Sequence, residues 1–522
     1  HRFYVRWQEH KLMHQAQLAL DKNDFRWATL AAQRAYSVDP SSVDACRTLS
    51  EIAERQGNIE AIEWRRRALA LAPASRPDRL ALAKTALRFS KPQIAAKTLA
   101  EAPVRQRDHA DYQATAAHLA LVQDDIPAAG KHLREAVRLA PDDPHRALEL
   151  AEFQLRSGDG AQREAGRAAA QRLQENPQVQ LDAFHILIDD ALHHGDESTS
   201  VELAKKLEAL PEATVDDRLL ALGILRQFKD PGFTAALSRL EAESAGSGEQ
   251  ATKLINWMNS HGLALLAIDW SRQLPNDFLG NVAFRFALAD AYVRLRDWAA
   301  LRELLRRGSW DQAESLRLAL EAKAARETGD TAGFEKNWAA AVARAGGESA
   351  RLQALQTLAF QWNWPGKAVA LLWKMADKEE TEKEALQALY NYYAKERDTT
   401  GLYRTLTRLI DVVPGDLTVE NNFAQISLLL KAGPERALAL AREVHAKQPQ
   451  NAAFASTYAF ALYQKGDLPG ALKVMSRLSP EQLRDPSVAA YYGVLLAAAG
   501  KKAEAMKFLD EAGKAALLPE EE

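Results

Sequence analysis

The stretch Asp124–Pro144 reads DDIPAAGKHLREAVRLAPDDP and is the clearest indication of the fold class. Its apolar residues recur at intervals of three and four, which is the period of an amphipathic helix: Leu133, Ala136, Val137 and Ala140. An Asp pair precedes the helix and can cap its first turn, and a proline follows it and prevents continuation. The stretch therefore predicts one helix with a stop signal at each end.

The same signals recur along the chain at intervals of 33 to 37 residues. They are Asn23-Asp24, Gly57-Asn58, Lys91-Pro92, Asp124-Asp125, Gly158-Asp159 and Gly195-Asp196, and later Gly433, Gly466 and Gly500. A second series, of prolines, marks the far end of each unit: Pro40, Pro73, Pro141, Pro177, Pro211, Pro414, Pro449, Pro480 and Pro519. Each unit is predicted to be a helix, a tight turn, a helix and a stop. A helix of about 14 residues is about 21 Å long and cannot bury its apolar stripe alone, so the units are expected to stack into a solenoid.

Composition excludes several classes of protein. The 522 residues include 67 Lys and Arg against 70 Asp and Glu, and this near-neutral balance does not favour nucleic acid as a partner. A hydrophobic content of 47% is too high for a disordered chain. With 26 Gly and 20 Pro, turn residues are too sparse for an all-β protein. The single cysteine, Cys46, excludes an intramolecular disulfide and is interpreted as a buried apolar residue.

Four segments resemble tetratricopeptide repeats of bacterial multi-repeat arrays. NDFRWATLAAQRAYSVDPSS (Asn23–Ser42) and Asp124–Pro144 resemble the second half of a repeat, and GDLPGALKVM from Gly466 and GKKAEAMKFLDEA from Gly500 are weaker matches. The resemblance implies an all-α, right-handed α-solenoid of about fifteen helix-turn-helix pairs. Between Pro231 and Trp373 the Gly-Asp signal is clear only at Gly329-Asp330, so longer or irregular helices are expected there.

The pattern also predicts a domain organisation. Residues 1–243 form an N-terminal array, and the Gly- and Ser-containing stretch 244–248 is the most linker-like in the chain. Residues 249–415 are expected to be divergent central repeats rich in tryptophan, and residues 416–522 to be C-terminal repeats. The acidic run Glu520-Glu521-Glu522 is interpreted as a frayed end.

Motifs for catalysis, cofactors or metals do not stand out in the sequence. It lacks a P-loop, a dinucleotide-binding G-x-G-x-x-G, H-E-x-x-H, Cys-x-x-Cys and G-x-S-x-G. His185, Asp189 and His193 share one helix face, but the first and last lie about 12 Å apart along the axis, too far for one ion. The sequence therefore predicts neither an enzyme nor a metal or cofactor site.

In tetratricopeptide solenoids the first helix of each pair lines the concave groove. The resemblance therefore implies a set of partner-binding residues: Arg47, Glu51 and Arg55 in the second unit; His145, Glu152 and Arg156 in the fifth; Asp182, His185, Asp189 and His193 in the sixth. Such a groove has both signs of charge and suits an extended peptide or a protein surface. The Lys and Asn pattern of a carboxylate clamp is not found at these positions.

Tryptophan is unevenly distributed, with eight of the eleven between Trp257 and Trp373. Two interpretations remain open. The bulky rings either fill a core whose helices lack small contact residues, or they form an aromatic patch that offers a hot spot to a partner. Trp362 and Trp364 are the preferred pair for a patch because WNWPG is predicted to be a turn.

The leading functional prediction is a non-enzymatic scaffold that binds a peptide or protein partner, without a small-molecule substrate or nucleic acid. One alternative is an accessory or assembly subunit of a cell-envelope or secretion complex. Another is the helical body of an enzyme, such as a peptidoglycan lyase, that lacks its catalytic domain. The first residues, HRFYVRW, either flank a membrane tether in a missing upstream segment or begin an ordinary helix. Two locations therefore remain open: the cell envelope, with the chain in the periplasm and anchored at its N-terminal end, or the cytoplasm.

Overall fold

A computed structural model describes residues 2–307, 309–514 and 516–521. Within these residues the chain forms 32 α-helices and two short 3₁₀ helices, and it forms no β-strand. The chain divides into two compact units, His1–Leu254 and Ile255–Glu522. This division lies inside α16, a few residues after the predicted linker 244–248; residues 245–247 form a turn, and Ser244 and Gly248 belong to the flanking helices.

The first unit contains fifteen helices and the start of α16. They are α1 (Arg2–Asp21), α2 (Phe25–Val38), α3 (Val43–Arg55), α4 (Ala61–Leu71), α5 (Arg76–Arg88), α6 (Pro92–Ala100), α7 (Val104–Arg107), α8 (Ala110–Val122), α9 (Ile126–Leu139), α10 (Pro144–Leu155), α11 (Gly160–Leu173), α12 (Gln180–His193), α13 (Glu197–Glu208), α14 (Val215–Gln227), α15 (Phe233–Ser244) and α16 (Gly248–Ser260).

The second unit contains the rest of α16, the two 3₁₀ helices at Asn276–Gly280 and Asp311–Ala313, and sixteen further α-helices. These are α17 (Ala264–Ser271), α18 (Val282–Leu295), α19 (Trp298–Arg306), α20 (Glu314–Glu327), α21 (Thr331–Ala345), α22 (Ser349–Gln361), α23 (Pro365–Ala376), α24 (Glu382–Lys395), α25 (Thr399–Val412), α26 (Leu417–Leu429), α27 (Pro434–Lys447), α28 (Ala452–Gln464), α29 (Leu468–Met475), α30 (Pro480–Leu483), α31 (Pro486–Ala498) and α32 (Lys502–Ala512).

The turns between paired helices follow the predicted chemistry. Asp124 adopts the left-handed region with φ 59°, and the carboxylate of Asp125 accepts a hydrogen bond from the Ala128 amide at 3.0 Å. Asn23 and Asp24 repeat this arrangement before α2. Asp and Asn tolerate the left-handed conformation better than other non-glycine residues, and a following Asp satisfies a free amide of the helix. One predicted stop differs, since Pro480 begins the short helix α30 instead of ending a unit.

The middle of the chain keeps this turn where the glycine signal is absent. Lys229, Arg296 and Asn363 take the left-handed position, with φ values of 53°, 57° and 58°. Asp297 then caps α19 by accepting a hydrogen bond from the Ala300 amide at 3.0 Å. The central helices have 8 to 15 residues and so are not generally longer than the others, and the expected irregularity takes the form of the two 3₁₀ helices.

Helices pack against their neighbours in sequence and against the equivalent helix of the next repeat. In the first unit α10 contacts both α11 and α12, and in the second unit α28 contacts both α29 and α31. Many alanines of these helices are buried, among them Ala28, Ala129 and Ala136. Small side chains let the helix backbones approach closely. The paired, stacked helices confirm the prediction of an all-α solenoid. No helix in the described part of the chain is long and apolar enough to cross a membrane.

Candidate functional site

Five of the predicted partner-binding residues line one cleft between α10 and α12, the first helices of two successive repeats. They are Glu152, Arg156, His185, Asp189 and His193. The cleft has a volume of about 770 Å³ and is completed by Arg163, Asp190, His194 and the turn at Ser157-Gly158. We call it the polar cleft. Its position follows from the repeat, because α10 and α12 pack side by side and turn equivalent faces to solvent.

The walls of the polar cleft combine ion pairs with exposed charged groups. Arg156 Nη2 lies 2.8 Å from Glu152 Oε1 along α10. Arg163 donates hydrogen bonds to the carbonyl oxygens of Ser157 and Gly158 at 3.0 and 3.2 Å, which holds the turn at one end of the cleft. Asp189 is exposed on the opposite wall. A ligand therefore meets both signs of charge within one helix spacing.

Hydrogen bonds fix the orientation of two histidines at the polar cleft, His185 on α12 and His194 directly after it. His185 Nε2 lies 2.6 Å from Asp217 Oδ1 on α14, 32 residues further along the chain. His194 Nδ1 lies 2.8 Å from the backbone carbonyl oxygen of Asp190, and the side-chain oxygen Oδ2 of Asp190 accepts hydrogen bonds from Arg167 at 2.7 and 2.9 Å. The imidazoles are thereby held by hydrogen bonds on one side.

The carboxylate of Asp217 accepts hydrogen bonds from both His185 and Thr214. Burial by itself raises the pKa of Asp217, but hydrogen bonds from Thr214 and His185 outweigh the effect of burial. The pKa of Asp217 consequently lies below its ordinary value. Thr214 and Asp217 also form a reciprocal capping box at the start of α14. Asp217 thus both caps α14 and orients the His185 ring.

A second hollow of about 790 Å³ adjoins the polar cleft and shares Glu152, Arg156, Ser157 and Gly158 with it. Its remaining wall is largely apolar and includes Leu121, Leu133 and Phe153, with Ile126 and Pro127 at the start of α9. We call this hollow the apolar recess. Gly130 makes room for Phe153, because a Cβ at Gly130 would lie 2.9 Å from the Phe153 ring. The two hollows together form one groove, apolar on one side of α10 and charged on the other.

The other predicted groove residues lie outside the polar cleft. Arg47 on α3 donates to both carboxylate oxygens of Asp78 on α5, at 2.8 and 2.6 Å, and joins two repeats. Hydrogen bonds from Arg47 hold the pKa of Asp78 below its ordinary value despite burial. Glu51 and Arg55 form an ion pair of 2.6 Å. His145 and Asp182 are exposed near the first turns of α10 and α12.

The predicted aromatic patch at Trp362 and Trp364 requires a correction. Trp364 is only 3% exposed, and its ring lies 4.9 Å from Phe334 and 5.4 Å from Trp338 in edge contacts. Trp362 is half-buried against the same core. The turn that separates α22 from α23 directs both rings inward, because the stacked repeats leave an apolar space there. Trp364 therefore fills the core, which was the first of the two interpretations, and it is not accessible to a partner.

Sequence reasoning identified five residues of the polar cleft, from both of its walls, and missed other residues of the two hollows. Arg163 stands near the start of α11, the second helix of its repeat, so an assignment confined to first helices omits it. Leu121 and Ile126 are 41% and 49% exposed, but a single sequence cannot distinguish such residues from core positions. Among the described residues no group of three His, Cys, Asp or Glu side chains is arranged to hold a metal.

The geometry of paired helices and capped turns can be compared with known proteins. Residues 433–492, which include most of α27 to α31, match the tetratricopeptide repeat family model. Residues 433–492 therefore have the sequence pattern of tetratricopeptide repeats. The match includes the segment GDLPGALKVM from Gly466 and confirms the resemblance predicted for it. A comparison with curated proteins finds no match.

Several solved structures are similar to this chain at low sequence identity. PilF of Pseudomonas aeruginosa is 17% identical, with a TM-score of 0.32, over 41% of this chain and 96% of PilF. The APC/C hetero-tetramer Cut9-Hcn1 is 12% identical, with a TM-score of 0.30, over 88% of this chain and 98% of the matched chain. The structure of Naa15/Naa10 bound to HypK-THB is 15% identical, with a TM-score of 0.28, over 96% of this chain and 75% of the matched chain.

Proposed function

We propose that this protein is a non-enzymatic interaction scaffold that binds an extended peptide segment of a partner protein across α10. The observation that supports the proposal is the adjoining pair of hollows on either side of α10. An extended peptide can place an apolar side chain in the apolar recess. Its neighbouring charged groups can then face Arg156 and Asp189 in the polar cleft.

The arrangement suits a peptide better than a small molecule. Both hollows are open, and the charged side chains that line them are exposed or are held by ion pairs and hydrogen bonds. Binding energy would come mainly from the apolar anchor, since exposed ion pairs contribute little by themselves. The charged side of the groove would set the orientation and the specificity of the peptide.

The proposal can be tested by selecting peptides from a displayed library on the purified chain and measuring their affinity by fluorescence anisotropy. Ile126→Ser is expected to raise the dissociation constant of the selected peptide at least tenfold, because it removes an apolar side chain from the wall of the recess. Ile59→Ser is a matched control, since Ile59 is 50% exposed and lies outside both hollows. The control is expected to leave the dissociation constant within twofold.

A second pair of variants tests the charged side. Arg156→Glu reverses a charge in the polar cleft, and Arg138→Glu reverses a charge with a similar ion pair outside it, to Glu135. Only Arg156→Glu is expected to change the affinity of a charged peptide. If neither Ile126→Ser nor Arg156→Glu weakens any selected peptide while circular dichroism shows native helix content, the groove across α10 is not the binding site.

A further inference from the structure

The acidic segment, residues 516–521, is bound against the helices of the second unit and is not the frayed end predicted from its sequence. Leu518 packs against the hydrophobic core that α20 to α26 build, and Leu517 packs against a small cluster around Ala489 and Ala490. Both leucines are half-buried. Glu522 lies outside the described residues. The segment therefore has two apolar anchors in addition to its charges.

Both described glutamates of the acidic segment accept hydrogen bonds from residues far away in the sequence. The Thr399 hydroxyl, at the start of α25, donates to Glu520 Oε2. The Tyr491 hydroxyl of α31 donates to Glu521 Oε1, and Gln425 Nε2 of α26 donates to the same oxygen at 3.0 Å. These donors precede their acceptors by 121, 30 and 96 residues, so the stack of repeats brings them together.

The donors form a prepared site. Thr399 and Tyr491 are 3% and 5% exposed, and Gln425 Nε2 also donates to the Tyr491 hydroxyl oxygen at 2.8 Å. Gln425 thus holds the tyrosine hydroxyl with its proton directed to the carboxylate. Burial, followed by the charge of Glu521, raises the pKa of Tyr491 well above its ordinary value, which keeps the hydroxyl a donor. Hydrogen bonds to a charged acceptor are stronger than neutral ones.

The acidic segment fits this site through a compact turn of its own. The Glu521 amide donates to the Leu518 carbonyl oxygen at 2.9 Å, and the Leu518 amide donates to Glu521 Oε2 at 2.8 Å. Pro519 lies inside the turn and restricts its backbone. One short turn consequently presents an apolar side chain and two carboxylates together, which is the form of a linear recognition motif.

We propose that Thr399, Gln425 and Tyr491 form a binding site for a short acidic peptide of the pattern Leu-Pro-Glu-Glu, and that the acidic segment occupies this site in cis. A segment attached to the same chain competes at an effective concentration in the millimolar range. A free peptide of the same chemistry therefore reaches the site only when the segment is released. The site shares no residue with the groove across α10.

The test uses the full chain and a fluorescein-labelled peptide that corresponds to residues 516–521. Glu520→Gln combined with Glu521→Gln removes both charged acceptors and should release the segment. The apparent dissociation constant of the labelled peptide is expected to be at least tenfold lower for this variant than for the unaltered chain. Glu504→Gln combined with Glu511→Gln is the control, because it makes the same change of charge on α32 without removing a contact to the site.

Further variants show whether the peptide enters the proposed site. Adding Tyr491→Phe and Gln425→Ala to the released chain should raise the dissociation constant of the labelled peptide at least tenfold. A peptide with Gln in place of both Glu should bind the released chain at least tenfold more weakly than the original peptide does. If the glutamate substitutions reduce helix content, a chain that stops after Lys514 replaces them. Equal binding to the unaltered and released chains, or no binding to either, would overturn the proposal. Neither result would bear on the groove across α10, because the variants of that groove are tested with different peptides.

Discussion

Asp217 shows how one residue serves both a helix and a site. It caps α14 together with Thr214, and it orients His185 at the edge of the polar cleft. Its pKa is lower in the folded chain than in the unfolded chain, where a value of about 3.9 is expected. The carboxylate therefore stabilises the fold above that pH, and this contribution is lost as the pH falls through the folded-state pKa.

Asp217→Asn is expected to lower the free energy of unfolding by about 1–2 kcal/mol at pH 7, because a buried, hydrogen-bonded charge is replaced by a neutral amide. The difference from the unaltered chain should shrink as the pH is lowered to 3. Urea titrations followed by circular dichroism at both pH values measure this. Asp216→Asn is the control, since Asp216 is exposed and its ion pair with Lys253 should leave the midpoint unchanged. A difference that stays constant with pH would contradict the assignment to Asp217.

Some glycines of the helices face a large side chain of the paired helix, and others face open space. In α25 a Cβ at Gly401 would lie 2.3 Å from the ring of Tyr393 on α24, and Trp373 Nε1 holds that ring through a hydrogen bond of 3.1 Å to the Tyr393 hydroxyl. In α23, by contrast, nothing lies within 4 Å of a Cβ at Gly366. The two glycines stand near the first turns of comparable helices, so only their packing differs.

Gly401→Ala is expected to destabilise the second unit by about 1–3 kcal/mol, because the Tyr393 ring cannot move away without breaking its contacts. Gly366→Ala should leave stability unchanged or raise it by up to about 1 kcal/mol, because alanine favours a helix. Thermal and urea unfolding of the two variants measure the difference. Equal effects of both substitutions would show that helix propensity, and not the contact with Tyr393, determines stability at these positions.

Across the whole molecule, stability is expected to depend on contacts between neighbouring repeats. The core around α12 contains residues from Ala151 to Ile224, and Leu187 is almost fully buried in it. In repeat proteins each unit is stabilised mainly by the units next to it. A cavity in one repeat should therefore loosen the adjacent helices and leave remote ones intact.

Leu187→Ala is expected to cost about 2–5 kcal/mol locally, since it leaves a cavity in a packed core. Hydrogen exchange followed by mass spectrometry should show reduced protection in α10 to α14 and unchanged protection in α1 to α3. The same experiment on Leu220→Ala supplies a control, because Leu220 is an exposed residue of the same unit. A uniform loss of protection from α1 to α15 would contradict the nearest-neighbour description.

Local features of the sequence were sufficient to predict the helices and turns. The Asn23-Asp24 and Asp124-Asp125 pairs specify a left-handed residue followed by a helix cap, and both depend only on neighbouring backbone groups. The middle repeats were harder to predict because Lys229 and Arg296 take the left-handed position against their usual preference. Packing of the stacked helices overrides that preference.

The sequence by itself therefore determined the all-α repeat architecture and the face of α12 that carries His185, Asp189 and His193. The tertiary structure alone decided which distant residues meet: His185 with Asp217, and Glu521 with Tyr491 and Gln425. It also decided that Trp364 is buried. The physical reason is that helix periodicity is set by contacts within a few residues. The meeting of distant side chains depends instead on how successive repeats stack, which no local pattern encodes.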